Sequence, residues 1–327
     1  MNSFLFAVNA VAPIIIIVAI GYVLKRIGLI KPPIAAAMNK LVFRLLLPCM
    51  LFLNVYKIEN IGDIDFGYVF YAIGTTLAFF ALSIPLAMKI TKDNPKRGAI
   101  IQAVFRSNYA LVGIPLATSL YGDEGGIIAT VLSAFIIPTF NALAVICLSI
   151  FGGKGKIDVK RIVIGILKNP LIDSIALGGV MLLIRALFVR FNIDFRLTDI
   201  KPVYSVLSQL SATATPIALL VLGAQFEFSA IPGMKKEIII TTGVKTTLIP
   251  TLAIGLAYIL GCFDGAHFAA FVALFATPVA VSSVPMAQEM GADHELAGQL
   301  VVWTTLISAF SIFIISFILK AIGVFPG

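Results

Sequence analysis

Polar residues are scarce in this chain, so the few that interrupt its apolar runs are where chemistry has to be sought. Asn108 lies five residues before Gly113-Ile114-Pro115, and a second proline-bearing stretch, Ser282-Ser283-Val284-Pro285, interrupts a later apolar run. Proline removes a helix amide, clashes with the preceding turn and pushes the residue before it out of the helical region. The spacing therefore predicts a break near Ile114, with Gly113 as flexible backbone and with Pro115 and Pro285 each opening a new half-helix. In hydrocarbon, amides freed by a break must be buried in protein or line a wet cavity. Two half-helix N-termini meeting at one place would present unpaired N–H groups and positive dipole ends. That is a site for an anion, with Asn108 as a neutral hydrogen-bonding side chain beside it.

Ionisable residues deep in an apolar run are functional candidates by default. Here they are basic, namely Arg44, Arg106 and Lys245, while Asp173 and Glu289 fall near the ends of their runs. The lack of midspan carboxylates argues against a cation/proton antiporter and favours an anionic substrate. Lys245 is the residue expected to stand in for a coupling cation, because a buried lysine can change its protonation state. Arg44 and Arg106, each within reach of the cytoplasmic boundary, are read as snorkelling or pairing to the backbone. Thr213 and Thr215, ahead of Pro216, either bond back to helix carbonyls or line the scaffold side of a substrate cavity.

Enzyme chemistry finds no support. His267 and His294 are the only histidines, neither HExxH nor GxSxG occurs, and GGKGK at Gly152–Lys156 lacks the spacing of a phosphate loop. No catalytic residue, metal site or cofactor is expected. Cys49, Cys147 and Cys262 have no ligand spacing and are read as small buried side chains.

The elements that must position these residues are membrane spans. Of the 327 residues, 60% are hydrophobic and 12% charged, with a mean hydropathy of +1.05, far from the composition of soluble domains. Ten runs are long enough to cross the hydrocarbon, at about 4–24, 33–55, 66–90, 97–121, 126–150, 170–190, 202–224, 237–260, 266–290 and 296–319. The net charge of +8 falls mostly in short connections and follows the positive-inside rule rather than pointing to nucleic acid. Lys and Arg cluster in alternate connections: Lys25, Arg26 and Lys31; Lys89, Lys92, Lys96 and Arg97; Lys154 to Lys168; and Lys235 with Lys236. Both termini are therefore expected outside. The first run precedes its charges, the reverse of a signal peptide, and is read as a retained span.

Prolines 48 and 216, 85 and 250, and 115 and 285 are separated by 165 to 170 residues, about half the chain. IPLATSLYGD at Ile114–Asp123 also aligns with VPMAQEMGAD at Val284–Asp293. This predicts a single membrane domain built from two five-helix repeats, 1–150 and 151–327. Five spans per repeat make the halves inverted, a signature of secondary transporters, with the two broken helices crossing at the midplane.

NYALVGIPLATSLYG, Asn108 to Gly122, resembles the fourth-span motif of the auxin efflux carrier family. LLLPCMLFLNV, TPIALLVLGAQF and SVPMAQEMGAD are similar to that family's second, seventh and ninth spans, so the likeness covers essentially the whole chain. It implies an all-α fold like that of the sodium/bile-acid symporters, with spans 1, 2, 6 and 7 as scaffold and spans 3 to 5 and 8 to 10 as a moving transport domain. It further implies an elevator-type carrier of organic carboxylates in the plasma or bacterial inner membrane. Substrate would sit at Asn108, Gly113, Ile114, Pro115, Ser282, Ser283, Val284 and Pro285, and plant members imply homodimerisation through spans 2 and 7. Plant members often carry a long loop between spans 5 and 6, which is short and basic here. Malonate or malate are thus as fitting as auxin. An anion channel, or a membrane-embedded ligand sensor without transport, are the competing readings.

Overall fold

The computed structural model describes residues 3–57, 66–152, 170–191, 193, 195–224 and 233–325. Its helices are α1 (Ser3–Arg26), α2 (Pro32–Tyr56), α3 (Phe66–Ile90), α4 (Asn94–Phe105), α5 (Ile114–Phe151), α6 (Pro170–Arg190), α7 (Lys201–Ala224), α8 (Lys235–Leu260), α9 (Gly265–Phe271), α10 (Ser283–Met290) and α11 (His294–Ala321). Among the described residues, six stretches are long and apolar enough to cross a membrane: α2, α3, Tyr109–Phe151, α7, α8 and α11. With the composition, this makes the chain an integral membrane protein. Tyr109–Phe151 runs to 43 residues, more than one crossing needs, and it turns at Tyr121 (φ −141°) and Gly122 (φ 63°). The positive φ at Gly122 requires a residue without Cβ. Residues 153–169, including most of the basic GGKGK connection, lie outside the described residues.

Four π turns, Val42–Leu46, Tyr109–Gly113, Val244–Leu248 and Val272–Ala276, each end two residues before a proline: Pro48, Pro115, Pro250 and Pro278. The amides of Leu47, Ile114 and Ile249 donate to carbonyls five residues back, on Val42, Tyr109 and Val244. Widening the turn by one residue moves aside the carbonyl that would strike the pyrrolidine ring. This corrects the expectation of a break at Ile114. Gly113 (φ −66°, ψ −55°) and Ile114 (φ −60°, ψ −47°) are helical, and the chain runs through Pro115 without interruption. Pro85 and Pro216, the sequence mates of Pro250 and Pro48, lie inside α3 and α7 with no such turn ahead of them, so paired prolines do not share a local conformation. The thiols also differ from expectation: Cys147 is buried, but Cys49 is half-buried and Cys262, just past Gly261 at the end of α8, is exposed.

Two compact units emerge. The smaller comprises Ile16–Asp65 and Ile164–Gln225. Within it α1 and α7 pack backbone against backbone. A Cβ on Gly21 would strike the carbonyl of Leu220, and one on Gly223 the carbonyl of Val18. Small residues permit such close approach in membrane helices. At the end of α2, the Arg185 guanidinium donates to the Tyr56 carbonyl at 2.8 Å and lies 5.2 Å from the centre of the Tyr56 ring. The Tyr56 hydroxyl accepts from Leu197 N at 2.9 Å, which ties the α6–α7 connection to α2.

The larger unit comprises Met1–Ile15, Phe66–Val163 and Phe226–Gly327. Its core includes aromatic contacts of Phe79 with Phe275 (6.0 Å) and Phe80 with Phe105 (5.4 Å) between ring centres, and the Tyr71 hydroxyl donates to the Ala253 carbonyl. Lys96 pairs with Glu237 at 3.5 Å and Lys236 donates to the Ile90 carbonyl at 3.2 Å, joining the start of α8 to α3 and α4. Gly291 (φ 79°) ends α10, and the Asp293 carboxylate accepts from Leu296 N to cap α11.

Candidate functional site

Inside the larger unit, two helices are interrupted and the interruptions pair. After α4 ends at Phe105, Arg106 is extended (φ −92°, ψ 125°), and helical geometry resumes at Tyr109. On the other side Thr277 is extended (φ −72°, ψ 154°), as a residue before proline prefers, and α10 begins at Ser283. Ser107 and Val279 form an isolated antiparallel bridge. Asn108 N donates to the Pro278 carbonyl at 2.7 Å, and Val279 N donates to Thr304 Oγ1 on α11 at 3.1 Å. Two of the freed amides thus find acceptors inside the protein, as hydrocarbon demands. The two interruptions thus meet in a local crossing at Arg106–Asn108 rather than at Gly113.

Gly113 serves the crossing by thinness instead of flexibility. A Cβ there would lie 2.8 Å from the Tyr109 ring and 2.9 Å from the Ala273 carbonyl oxygen, so alanine would push the two broken helices apart. Gly113→Ala is expected to lower stability by about 2 kcal/mol. A thermal midpoint in detergent equal to that of the unmodified chain would refute the close-approach argument.

Asn108 sits at the start of the π turn, where its carbonyl accepts from Val112 N (3.0 Å) and Gly113 N (3.2 Å). The amides of Tyr109, Ala110 and Leu111 belong to the first turn, which has no intrahelical acceptor. Asn108 Nδ2, the Tyr109 hydroxyl and Ser283 Oγ are buried with no hydrogen-bond partner among the described residues. Ile114 is fully buried and Pro115 is the second residue of α5. The α10 terminus offers less than expected: Ser283 N and Val284 N donate to the carbonyls of Ala280 (2.9 Å) and Val281 (3.2 Å), and Pro285 is its third residue. The two helix ends are therefore unequal, and the freer amides belong to the Tyr109 turn.

Positive charge is built into the crossing from two sides. Lys245, in the π turn of α8, is 1% exposed and donates to Ser107 Oγ at 2.6 Å. Arg106, 5% exposed, does not snorkel. α4 places it about 18 Å from the helix start, beyond the reach of the side chain. Its Nη1 contacts Met286 Sδ at 2.7 Å, and its Nη2 donates to Asn141 Oδ1 (2.9 Å) and Ser282 Oγ (3.0 Å). With its amide oriented to satisfy both neighbours, Gln102 accepts from Nη1 at 3.0 Å and donates to the Ser283 carbonyl at 3.3 Å. No carboxylate stands among these partners. In the extended backbone at Arg106 and Ser107, successive side chains leave on opposite faces, so the guanidinium and the Lys245 ammonium approach from opposite sides.

Ser107, Met286 and Asn141 carry no signal in the sequence that marks them out, whereas Arg106 stands out there as a midspan cation and is misplaced only by the snorkelling reading. Thr213 and Thr215 belong to the smaller unit, where Thr213 bonds back to the Leu210 carbonyl at 2.8 Å and Thr215 meets Met50 Sδ at 3.8 Å.

The chain matches a family model described as membrane transport protein over residues 6–161 and 159–316. It is 24% identical over 311 residues, 94% of this chain and 97% of the relative, to a protein of Methanothermobacter thermautotrophicus named only as an uncharacterized transporter. Both similarities are to transporters rather than to enzymes.

Proposed function

The chain belongs to the membrane transport protein family, that of the auxin efflux carriers, and from that premise we propose that it is a secondary transporter of small organic anions. The substrates are carboxylates, either dicarboxylates such as malonate and malate or auxin-like acids. The observation that carries this reading is the pair of buried cations at the crossing, Arg106 and Lys245, whose partners among the described residues are all neutral. A charge in such a place is costly unless it is compensated, and an arriving anion compensates it. The orphaned Asn108 Nδ2 and Tyr109 hydroxyl supply donors for the same ligand.

On this reading the chain has ten spans in two inverted repeats, with both termini outside the plasma or inner membrane. Spans 3 to 5 and 8 to 10 move as an elevator against spans 1, 2, 6 and 7, and substrate rides at the crossing with Asn108, Gly113, Ile114, Pro115 and Ser282 to Pro285. Two copies would associate through α2 and α7.

Counterflow into proteoliposomes preloaded with malonate, malate or indole-3-acetate tests it. Saturable uptake is expected, and Asn108→Ala should lower its specificity constant about tenfold, the worth of one good hydrogen bond. Unsaturable flux without counterflow would mean a channel, and ligand binding without flux a sensor.

A further inference from the structure

We infer that Arg106 is the residue that takes the substrate's carboxylate, and that the carboxylate enters by replacing the two acceptors presented from the α10 side, Met286 Sδ and Ser282 Oγ. The inference rests on the organic-anion reading above and adds to it a binding atom and a moving part.

The four acceptors around the guanidinium divide in a telling way. Nη1 carries Gln102 and Met286, and Nη2 carries Asn141 and Ser282. Gln102 on α4 and Asn141 on α5 thus hold one proton of each nitrogen, while α10 and the residue that begins it hold the other. The pair contributed from α10 is also the weaker pair, since a thioether is a poor acceptor and a hydroxyl a weaker one than the amide oxygens of Gln102 and Asn141. An arginine fork with one free proton on each terminal nitrogen matches a carboxylate, which forms two parallel, charge-assisted hydrogen bonds. Exchanging a thioether and a hydroxyl for a carboxylate neutralises a guanidinium that is 5% exposed and has no acidic neighbour among its described partners. It leaves Gln102 and Asn141 in place to hold the plane of the fork. It also releases α10 from the first crossing, so that loading is felt by the second broken helix. Lys245, on the opposite face with Ser107, takes no part in this exchange.

The deciding variant is Met286→Leu, which keeps the bulk and removes the sulfur that competes for Nη1. It should lower the KM for malonate counterflow severalfold, an effect that a purely structural arginine would not produce. Arg106→Gln should raise that KM at least tenfold, and Arg106→Lys should recover only part of the loss, since one ammonium cannot make the fork. An unchanged or higher KM in Met286→Leu, an unchanged KM in Arg106→Gln, or full recovery in Arg106→Lys overturns the inference while leaving anion transport standing. Should Arg106→Gln not fold, Met286→Leu decides alone. If malonate, malate and indole-3-acetate produce neither counterflow nor a thermal shift in the folded unmodified protein, the organic-anion reading falls and this inference falls with it.

Discussion

The Gly223→Ala variant is expected to lose its fold, with a stability loss above about 3 kcal/mol, near the upper end for overpacking. A new Cβ would run into the carbonyl of Val18 and lie 2.8 Å from its carbon and 2.9 Å from Tyr22 N, all backbone atoms of α1. No side chain is available to swing away, so either α1 moves or the helices part. Gly21 faces the backbone of Leu220 in the same manner, so the seam is thin on both sides. Size-exclusion profiles after a heating series in detergent would report the loss. Gly179→Ala in α6 is the control, because nothing lies within 4 Å of the added methyl. Equal midpoints for Gly223→Ala and the control would refute backbone-to-backbone packing of α1 and α7.

The second large effect is expected at Lys245, and its sign differs between two readouts. An ammonium that is 1% exposed and held by one hydroxyl is a burden on folding, so Lys245→Gln should leave the thermal midpoint unchanged or raise it. Transport should fall on the order of tenfold or more, since a neutral amide cannot supply the charge that a stand-in for a coupling cation must carry. If Lys245 stands in for a coupling cation, the fall lies in turnover and substrate binding survives. Unchanged flux in Lys245→Gln would end that role. A midpoint that drops with the flux would make Lys245 a structural residue.

Readings that depended on one residue's own chemistry reached further than those that needed a distant partner. Pro48, Pro115 and Pro250 announced trouble in their helices, but proline permits a kink, a break or a widened turn. The choice at Pro115 goes with Gly113 fitting against Ala273, 160 residues away in sequence. The crossing itself has no proline or glycine on its first side. The chain leaves the helix at Arg106 because Asn108 and Ser107 pair with Pro278 and Val279 and because Ser107 receives Lys245, and no local pattern encodes those contacts. Arg106 illustrates the same limit, since all of its neighbours but Gln102 come from positions 35 to 180 residues on. The aligned motifs ending in Asp123 and Asp293 did have local content. Each lies just beyond a glycine with positive φ, Gly122 or Gly291, and Asp293 caps the helix that follows.

The widened turns also set an azimuth. One residue of α-helix is about 100° of rotation, so an extra residue ahead of a proline fixes the rotational phase of everything before it relative to everything after it. Arg44 and Lys245 both lie inside such turns. Deleting one residue from Val244–Leu248 would shorten α8 by little, yet it would swing the preceding half of the helix around by roughly a quarter turn and carry Lys245 away from Ser107. A lineage that discards Pro250 is then under no steric pressure to keep the extra residue, but it can shed that residue only by giving up the aim of its buried lysine. Proline, turn and lysine are therefore expected to persist or disappear together.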